Sequence, residues 1–165
     1  MKIAFVFPGQ GSQSVGMLDA FGGDPAVTDV LRRASGSLGQ DLAGLIARGP
    51  AEELGLTVNT QPCMLTASLA VYAAWRAAGG AEPAMMAGHS LGEYSALTAA
   101  GAFTLEQAVP LVRARARAMQ EATPVGSGAM AAILGLDDDG CAPHAMRRRR
   151  AKSSSRSTST HRRRS

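Results

Sequence analysis

The strongest constraint on the fold of this 165-residue chain is the segment Gly88-His89-Ser90-Leu91-Gly92, which matches the pattern G-x-S-x-G. A short apolar run at 84–87 precedes it, and a helical pattern at 94–100 follows it. In this pattern small residues flank a serine, so that the chain turns sharply from a strand into a helix and exposes the hydroxyl. The segment therefore predicts a strand, a tight turn and a helix, with Ser90 at the N-terminus of the helix.

A serine in this position is a candidate nucleophile for acyl transfer. The backbone N–H of Leu91 would point toward the reacting centre, and the helix dipole favours the negative charge that develops on a carbonyl oxygen. The alternative is a chance match in a chain with 19 glycines, but the strand and helix patterns on both sides favour the catalytic interpretation. Neighbouring residues at such a turn point in different directions, so His89 is interpreted as a packing or loop residue and not as the base for Ser90.

The rest of the pattern alternates strands with helices. The run Ile3 to Phe7, closed by Pro8-Gly9, predicts a central parallel strand buried on both faces, and a glycine-rich polar loop follows it. Asn59 or Thr60 is expected to cap a long helix from about Gln61 to Ala78. Further helices are expected at 17–21, 26–34 and 42–47 and from Thr104, and a third apolar run lies at 129–134. This alternation predicts an α/β fold with a parallel sheet flanked by helices.

Charge divides the chain into two parts. Residues 141–165 hold nine of the seventeen Lys and Arg residues and no acidic residue. Residues 1–140 therefore contain the other eight basic residues and all thirteen acidic residues, which gives them a net charge of −5. Residues 1–139 are therefore predicted to be one domain, and the Arg/Ser-rich segment 140–165 to be a disordered basic tail that cannot bury enough apolar surface. Two unpaired cysteines predict neither a disulfide framework nor a metal site. The absence of a long apolar run predicts no membrane segment and a cytoplasmic protein.

Two motifs together carry a family resemblance. The segments 7–13 (Phe-Pro-Gly-Gln-Gly-Ser-Gln) and 88–97, supported by Thr60-Gln61-Pro62 and 128–132, closely resemble the malonyl-CoA:acyl-carrier-protein transacylases of fatty-acid synthesis. The resemblance runs from about Lys2 to about Asp138, the N-terminal portion of the family pattern. It implies an incomplete parallel sheet flanked by helices, namely the α/β-hydrolase-like large subdomain of the acyltransferase fold.

The resemblance also implies roles for particular residues. Ser90 would be acylated by malonyl-CoA and would pass the malonyl group to the phosphopantetheine thiol of acyl carrier protein. The backbone N–H groups of Gln10 and Leu91 would form the oxyanion hole. Arg115 would bind the free malonyl carboxylate, although its spacing of two from Arg113 and Arg117 alone would be typical of a solvated helix face. Gln61 would lie near the substrate pocket, or would be an ordinary first-turn helix residue. No cofactor is expected to be bound permanently, since the coenzyme A thioester is the substrate.

The family pattern stops near Gly140. The resemblance implies a base histidine that follows a ferredoxin-like insert, and His144 and His161 lie in the basic segment where nothing matches that context. A frameshifted or truncated gene model is the hypothesis for this change, and the isolated chain is expected to be inactive because the base is missing.

Three other functions are considered. One is a non-catalytic remnant that keeps the motifs. Another is a serine esterase of the α/β-hydrolase type, which would share the turn at Ser90 but not the loop at 9–13 or an arginine like Arg115. The third is nucleic-acid binding by the basic tail, in which no aromatic residue is interleaved for base stacking. It is not expected, because a shifted reading frame in a GC-rich gene would produce Arg, Ala and Ser without selection for any partner.

Overall fold

A pair of parallel strands brings the two sequence motifs to one edge of the fold. The computed structural model describes residues 2–122. Strand β1 (Ala4–Phe7) pairs in parallel with β2 (Met85–Gly88), and Phe7 lies opposite Gly88 at the carboxyl ends of the two strands. Because parallel strands end at the same edge of a sheet, the loop after β1 and the turn after β2 leave the sheet side by side. The predicted α/β class with a parallel sheet is confirmed.

Helices make up most of the described chain, and four of them lie in the crossover between the strands. A 3-10 helix (Asp19–Phe21) precedes them; the helices are α1 (Pro25–Leu38), α2 (Leu42–Arg48), α3 (Ala51–Gly55), α4 (Thr57–Ala77), α5 (Leu91–Ala99) and α6 (Leu105–Ala122).

Side-chain hydrogen bonds mark the starts of two of these helices. The Asp24 carboxylate accepts from the backbone N–H groups of Ala26 and Val27 at the start of α1. Thr104 and Gln107 exchange side-chain and backbone hydrogen bonds, a capping box that starts α6.

The long helix begins earlier than predicted. The structure starts α4 at Thr57, whereas the sequence pattern placed Asn59 or Thr60 at its cap. The reason is that both side chains bond backward: the Asn59 amide donates to the carbonyl of Glu53, and the Thr60 hydroxyl donates to the carbonyl of Leu54. These two side chains therefore close the end of α3 and do not cap α4.

Helix α4 is the centre of the hydrophobic core. It packs against α1, α5 and α6, and its residues from Asn59 to Ala67 are all buried. Fully buried side chains from several elements meet around it: Leu42, Ile46, Leu54, Leu65, Leu91, Val109 and Val112. Burial of this apolar surface is the main favourable contribution to folding, and it fixes α4, α5 and α6 relative to one another.

The two faces of the sheet differ. Phe5 and Phe7 face the helices, where both rings contact Tyr72 of α4. The opposite face carries Ala4, Val6, Met85 and Ala87, all exposed, with Val6 78% exposed. The prediction that β1 is buried on both faces is therefore wrong for the described part of the chain, because no described element covers this second face.

Two glycines allow helix α5 to lie directly against the strands. A Cβ atom on Gly88 would sit 2.0 Å from the backbone of Gly92, and one on Gly92 would sit 2.2 Å from the carbonyl oxygen of Phe7. Both distances are impossible for a real side chain. The glycines of the G-x-S-x-G pattern are thus required by the close approach of three backbone segments.

Several predictions fall on residues that the structure does not describe. They are the third apolar run at 129–134, the domain boundary near residue 139 and the disordered tail at 140–165. Between residues 2 and 122, no helix has the length and apolar character needed to cross a membrane.

The core packing predicts a large difference between two leucine truncations. Leu65 is 0% exposed, and Leu111 is 41% exposed. We expect Leu65→Ala to lower the free energy of unfolding by about 2–5 kcal/mol, because it leaves a cavity, and Leu111→Ala to lower it by less than about 1 kcal/mol. Urea denaturation followed by circular dichroism measures both, and equal losses would contradict the assigned core.

The glycine contacts predict opposite effects for two Gly→Ala substitutions. Gly92→Ala is expected to cost about 3 kcal/mol or more, because the new methyl group overlaps the carbonyl of Phe7. Gly36→Ala in α1 meets no atom within 4 Å, and we expect it to stabilise the chain by about 0.5–1 kcal/mol through helix propensity. Thermal denaturation of both variants is the measurement, and an unchanged Gly92→Ala variant would refute the close approach.

Candidate active site

Ser90 is held in a strained backbone conformation at the turn between β2 and α5. Its φ is 56° and its ψ is −110°, and no other non-glycine residue in the described range 2–122 has a positive φ. Such a conformation costs free energy and persists only where the surrounding structure enforces it. Here the backbone N–H groups of Gly92 and Glu93 donate to the carbonyls of His89 and Ser90, at 3.0 and 3.2 Å, and close the turn. The exposed Ser90 hydroxyl is thus presented as the sequence pattern predicts.

Leu91 and Gln10 supply backbone at the same edge of the sheet. Leu91 is the first residue of α5, so its N–H has no acceptor within the helix. The loop after β1 approaches the turn closely: a Cβ atom on Gly9 would lie 3.1 Å from the carbonyl oxygen of His89. Gln10, the next residue, is exposed. The structure therefore brings the two segments that hold the predicted oxyanion donors together around Ser90.

The guanidinium of Arg115 lies directly beside Ser90. Its Nη2 atom donates to the Ser90 Oγ atom at 2.9 Å, and its Nη1 atom donates to the Gln61 Oε1 atom at 2.7 Å. The guanidinium carbon also lies 5.6 Å from the centre of the Tyr94 ring, within the range of a cation–π contact. Among the described ion pairs, none involves Arg115. Within residues 2–122 its partners are an amide, a hydroxyl and an aromatic ring, and no carboxylate there compensates its positive charge.

Gln61 is a buried part of this network. Its side chain is 0% exposed, in the second turn of α4. The Oε1 atom accepts from Arg115, and the Nε2 atom donates to the Met119 Sδ atom at 3.3 Å. The structure thus joins Gln61, Arg115 and Ser90 by consecutive hydrogen bonds and places Gln61 in the second turn of α4.

The three alternating arginines of α6 have different surroundings. Arg113 is half-buried and donates to the Gln40 Oε1 atom, and burial, with Arg117 nearby, lowers its pKa below the usual value. Arg117 is exposed. Only Arg115 of the three contacts Ser90, so the alternative of a single solvated helix face does not describe this helix.

Two other residues that could carry chemistry are set apart from Ser90. The pKa of the Cys63 thiol is raised to about 12 by burial, against an opposing effect of Arg113, so this thiol stays protonated at neutral pH and is not a competing nucleophile. His89 is exposed and has no hydrogen bond to Ser90 in the described part of the chain. His144 and His161 lie outside the described residues. Within 2–122 no group of three His, Cys, Asp or Glu side chains could hold a metal ion.

Sequence reasoning did not select Tyr94, Met119 or Thr57 as residues of the site. Tyr94 was available from spacing, because residues four apart lie on one side of a helix and Tyr94 is four residues after Ser90. Met119 is likewise four residues after Arg115 on α6. Thr57 has no such signal, since its contact with the Gln10 side chain joins residues 47 positions apart.

Comparison with known proteins identifies the family of this chain. The model of the acyl transferase domain family matches residues 4–150. The chain is 59% identical over 138 residues to the malonyl CoA-acyl carrier protein transacylase of Escherichia coli K12, and the match covers 83% of this chain and 45% of that protein.

Solved structures give the same result. The acyl-carrier-protein S-malonyltransferase of Burkholderia pseudomallei is 66% identical, with a TM-score of 0.80 over 85% of this chain and 46% of that one. A malonyl-transacylase solved in complex with a type II polyketide-synthase acyl-carrier protein is 51% identical, with a TM-score of 0.79 over 84% of this chain and 45% of that one.

The chain spans slightly less than half the length of these relatives. Its family-model match extends over most of its residues and includes both motifs and Arg115. This chain belongs to the acyl transferase domain family.

Proposed function

We propose that this chain carries the nucleophile and the carboxylate-binding arginine of an [acyl-carrier-protein] S-malonyltransferase. Ser90 accepts a malonyl group from malonyl-CoA as a seryl ester and transfers it to the phosphopantetheine thiol of acyl carrier protein, in cytoplasmic fatty-acid synthesis. The observation that carries this proposal is the guanidinium of Arg115: its Nη2 atom lies 2.9 Å from the Ser90 Oγ atom, and it pairs with no carboxylate among residues 2–122.

The geometry supports a substrate with a carboxylate close to its reactive carbonyl. In a malonyl thioester a single methylene separates the two groups, so a cation beside the nucleophile can bind the carboxylate while Ser90 attacks the carbonyl. Guanidinium groups bind carboxylates through paired, charge-assisted hydrogen bonds. An acetyl thioester has no such group and would leave the charge of Arg115 without a partner.

The chemistry would proceed in two balanced steps. The Ser90 Oγ atom forms a bond to the thioester carbonyl carbon, the C–S bond breaks, and coenzyme A leaves as a thiol with the proton lost by serine. The thiol of the carrier protein then attacks the seryl ester, and serine regains a proton. In both steps the negative charge on the carbonyl oxygen would be stabilised by the backbone N–H groups of Leu91 and Gln10 and by the N-terminus of α5. The acyl group passes from thiol to serine to thiol, so this scheme needs no permanently bound cofactor.

The carrier protein as partner is supported by the names and complexes of the relatives. The Escherichia coli relative is named for transfer to acyl carrier protein, and one similar malonyl-transacylase has been solved with such a protein bound. A general serine esterase is less well supported, because an esterase needs no guanidinium beside its nucleophile.

A third prediction concerns the general base that would deprotonate Ser90. No described residue accepts a hydrogen bond from Ser90, so we expect the chain alone to acquire little label from radioactive malonyl-CoA. Added imidazole should raise the rate of labelling by supplying a base. The measurement is label retained on the denatured protein, with and without imidazole.

Ser90→Ala is the control, because imidazole can also react with thioesters in solution. Label that persists in this variant would exclude Ser90 as the acceptor. Rapid labelling without imidazole would show that the chain holds its own base and would overturn the expected inactivity. No label under either condition in a folded chain would favour the non-catalytic remnant.

A fourth prediction concerns the selectivity of Ser90 for malonyl over acetyl donors. Arg115→Leu removes the charge that would bind the carboxylate, so we expect labelling of Ser90 by malonyl-CoA to fall about 10- to 100-fold, the equivalent of a lost charged hydrogen bond. Labelling by acetyl-CoA, measured in parallel with imidazole, should not fall. The ratio of the two rates is the measurement, and circular dichroism checks folding.

Arg117→Leu is the matched control, since it removes the same charge from an exposed position on the same helix. Equal losses of malonyl labelling in both variants would mean that α6 acts through its general charge and not through a site at Arg115.

A further inference from the structure

The loop Gly9–Gln13 is attached to the rest of the protein at few points. Two of its hydrogen bonds are internal: the Gly11 N–H donates to the Gln13 side chain at 2.8 Å, and the Ser12 hydroxyl donates to the Gly9 carbonyl at 3.4 Å. The Gln10 Nε2 atom donates to the Thr57 Oγ1 atom at 3.1 Å. Within residues 2–122 this last bond is the one side-chain hydrogen bond that ties the loop to another element.

The loop has little internal stiffness without such a bond. Gln10, Gly11 and Ser12 are exposed, and Gln10 stands between two glycines. Gly11 has a φ of +108°, and a Cβ atom placed on it would meet no neighbouring atom within 4 Å. Glycine gives a backbone wide conformational freedom, so apart from the two internal hydrogen bonds and the contact of Gly9 with His89, little else restrains Gln10.

Thr57 is, in contrast, a firmly placed residue. It is the first residue of the 21-residue helix α4, and it is half-buried. The residues just after it are anchored to α3, because the Thr60 hydroxyl donates to the Leu54 carbonyl at 2.6 Å and the Asn59 amide donates to the Glu53 carbonyl at 2.9 Å. The residue before α4 is Leu56, and its side chain makes no capping hydrogen bond. The Thr57 hydroxyl accepts a hydrogen bond from the Gln10 side chain of the loop.

We propose that Thr57 is a positioning residue: its hydroxyl holds the Gln10 side chain and thereby keeps the Gln10 backbone N–H aimed at the oxyanion beside Ser90. This inference rests on the proposed function, which assigns that N–H to the oxyanion hole. A donor stabilises an oxyanion only when it is held at hydrogen-bond distance before the charge develops. A rigid helix end bonded to the side chain of a flexible loop meets that requirement.

The position of Thr57 distinguishes its effect from that of Arg115. The oxyanion forms on every acyl substrate, whereas a carboxylate is present only on malonyl. Loss of the Thr57 hydroxyl should therefore slow acylation by malonyl and acetyl donors alike, and it should leave the malonyl-CoA concentration for half-maximal rate unchanged. Loss of Arg115 should affect malonyl alone.

The test compares Thr57→Val, which keeps the shape but removes the hydrogen-bond acceptor, with Thr57→Ser, which keeps the acceptor. In the full chain, the heteronuclear ¹H–¹⁵N NOE of the Gln10 and Gly11 amides should fall in Thr57→Val and stay at the wild-type value in Thr57→Ser. With imidazole present, the maximal rate of Ser90 acylation by malonyl-CoA and by p-nitrophenyl acetate should fall about 5- to 10-fold in Thr57→Val, a part of the loss expected for removing an oxyanion donor outright.

Each result decides the proposal. Equal NOE values in wild type and Thr57→Val would overturn it, because the loop would then be held without the bond. Equal losses in Thr57→Val and Thr57→Ser would also overturn it, since packing and not the hydroxyl would be responsible. If wild-type Ser90 reacts with p-nitrophenyl acetate but not with malonyl-CoA, the proposed malonyl transfer fails, while the comparison of the two variants still decides the role of Thr57.

Discussion

The arrangement of the site depends on the contact between helix α5 and the two strands. Gly88 and Gly92 have no side chains, so the backbones of β1, β2 and the first turn of α5 approach closer than any other residue would allow. This approach forces the chain through the strained conformation of Ser90 and leaves the serine at the carboxyl edge of the sheet. The loop after β1 lies at the same edge because Phe7 and Gly88 are in register. A bulkier residue at either glycine would separate the nucleophile from the loop that is proposed to assist it.

In the described part of the chain, the groups around Arg115 hold a cation in place without cancelling its charge. Its hydrogen-bond acceptors are the Gln61 amide and the Ser90 hydroxyl, and its flat group lies near the Tyr94 ring. A glutamate in place of the buried Gln61 would form an ion pair with Arg115 and would reduce its attraction for an external anion. The neutral amide orients the guanidinium without neutralising it, and the other end of the amide, the Nε2 atom, donates to the Met119 sulfur.

The parts of this structure that follow local rules could be predicted from the sequence. The strand at Ile3 to Phe7, the turn at Ser90 and the helix after Thr104 each carry a recognisable pattern over a few residues, and each is present in the structure. The start of α4 was misplaced because Asn59 and Thr60 are good capping residues in isolation, and only the position of α3 shows that they bond backward. The exposure of β1 was also missed, since an apolar strand has the same pattern whether its second face is covered or not.

The residues of the site also differ in whether a local sequence pattern identifies them. Ser90 and Leu91 could be selected from the turn motif, whereas Arg115, Gln61 and Gln10 depended on a family resemblance, because no local spacing distinguishes Arg115 from Arg113 and Arg117. The bond between Gln10 and Thr57 could not be predicted at all, because it depends on how a long crossover returns helix α4 to the end of β1.

One face of the sheet is covered by no other element between residues 2 and 122. Val6 and Met85 are 78% and 68% exposed and lie with Ala4 and Ala87 on one continuous apolar strip. Each strand also has an outer edge that pairs with no other described residue. Water favours the burial of such a strip, and unpaired strand edges add backbone donors and acceptors that a second molecule can satisfy. Within residues 2–122, this strip and these strand edges are therefore the surface on which a further strand or a second molecule would bury the most apolar area.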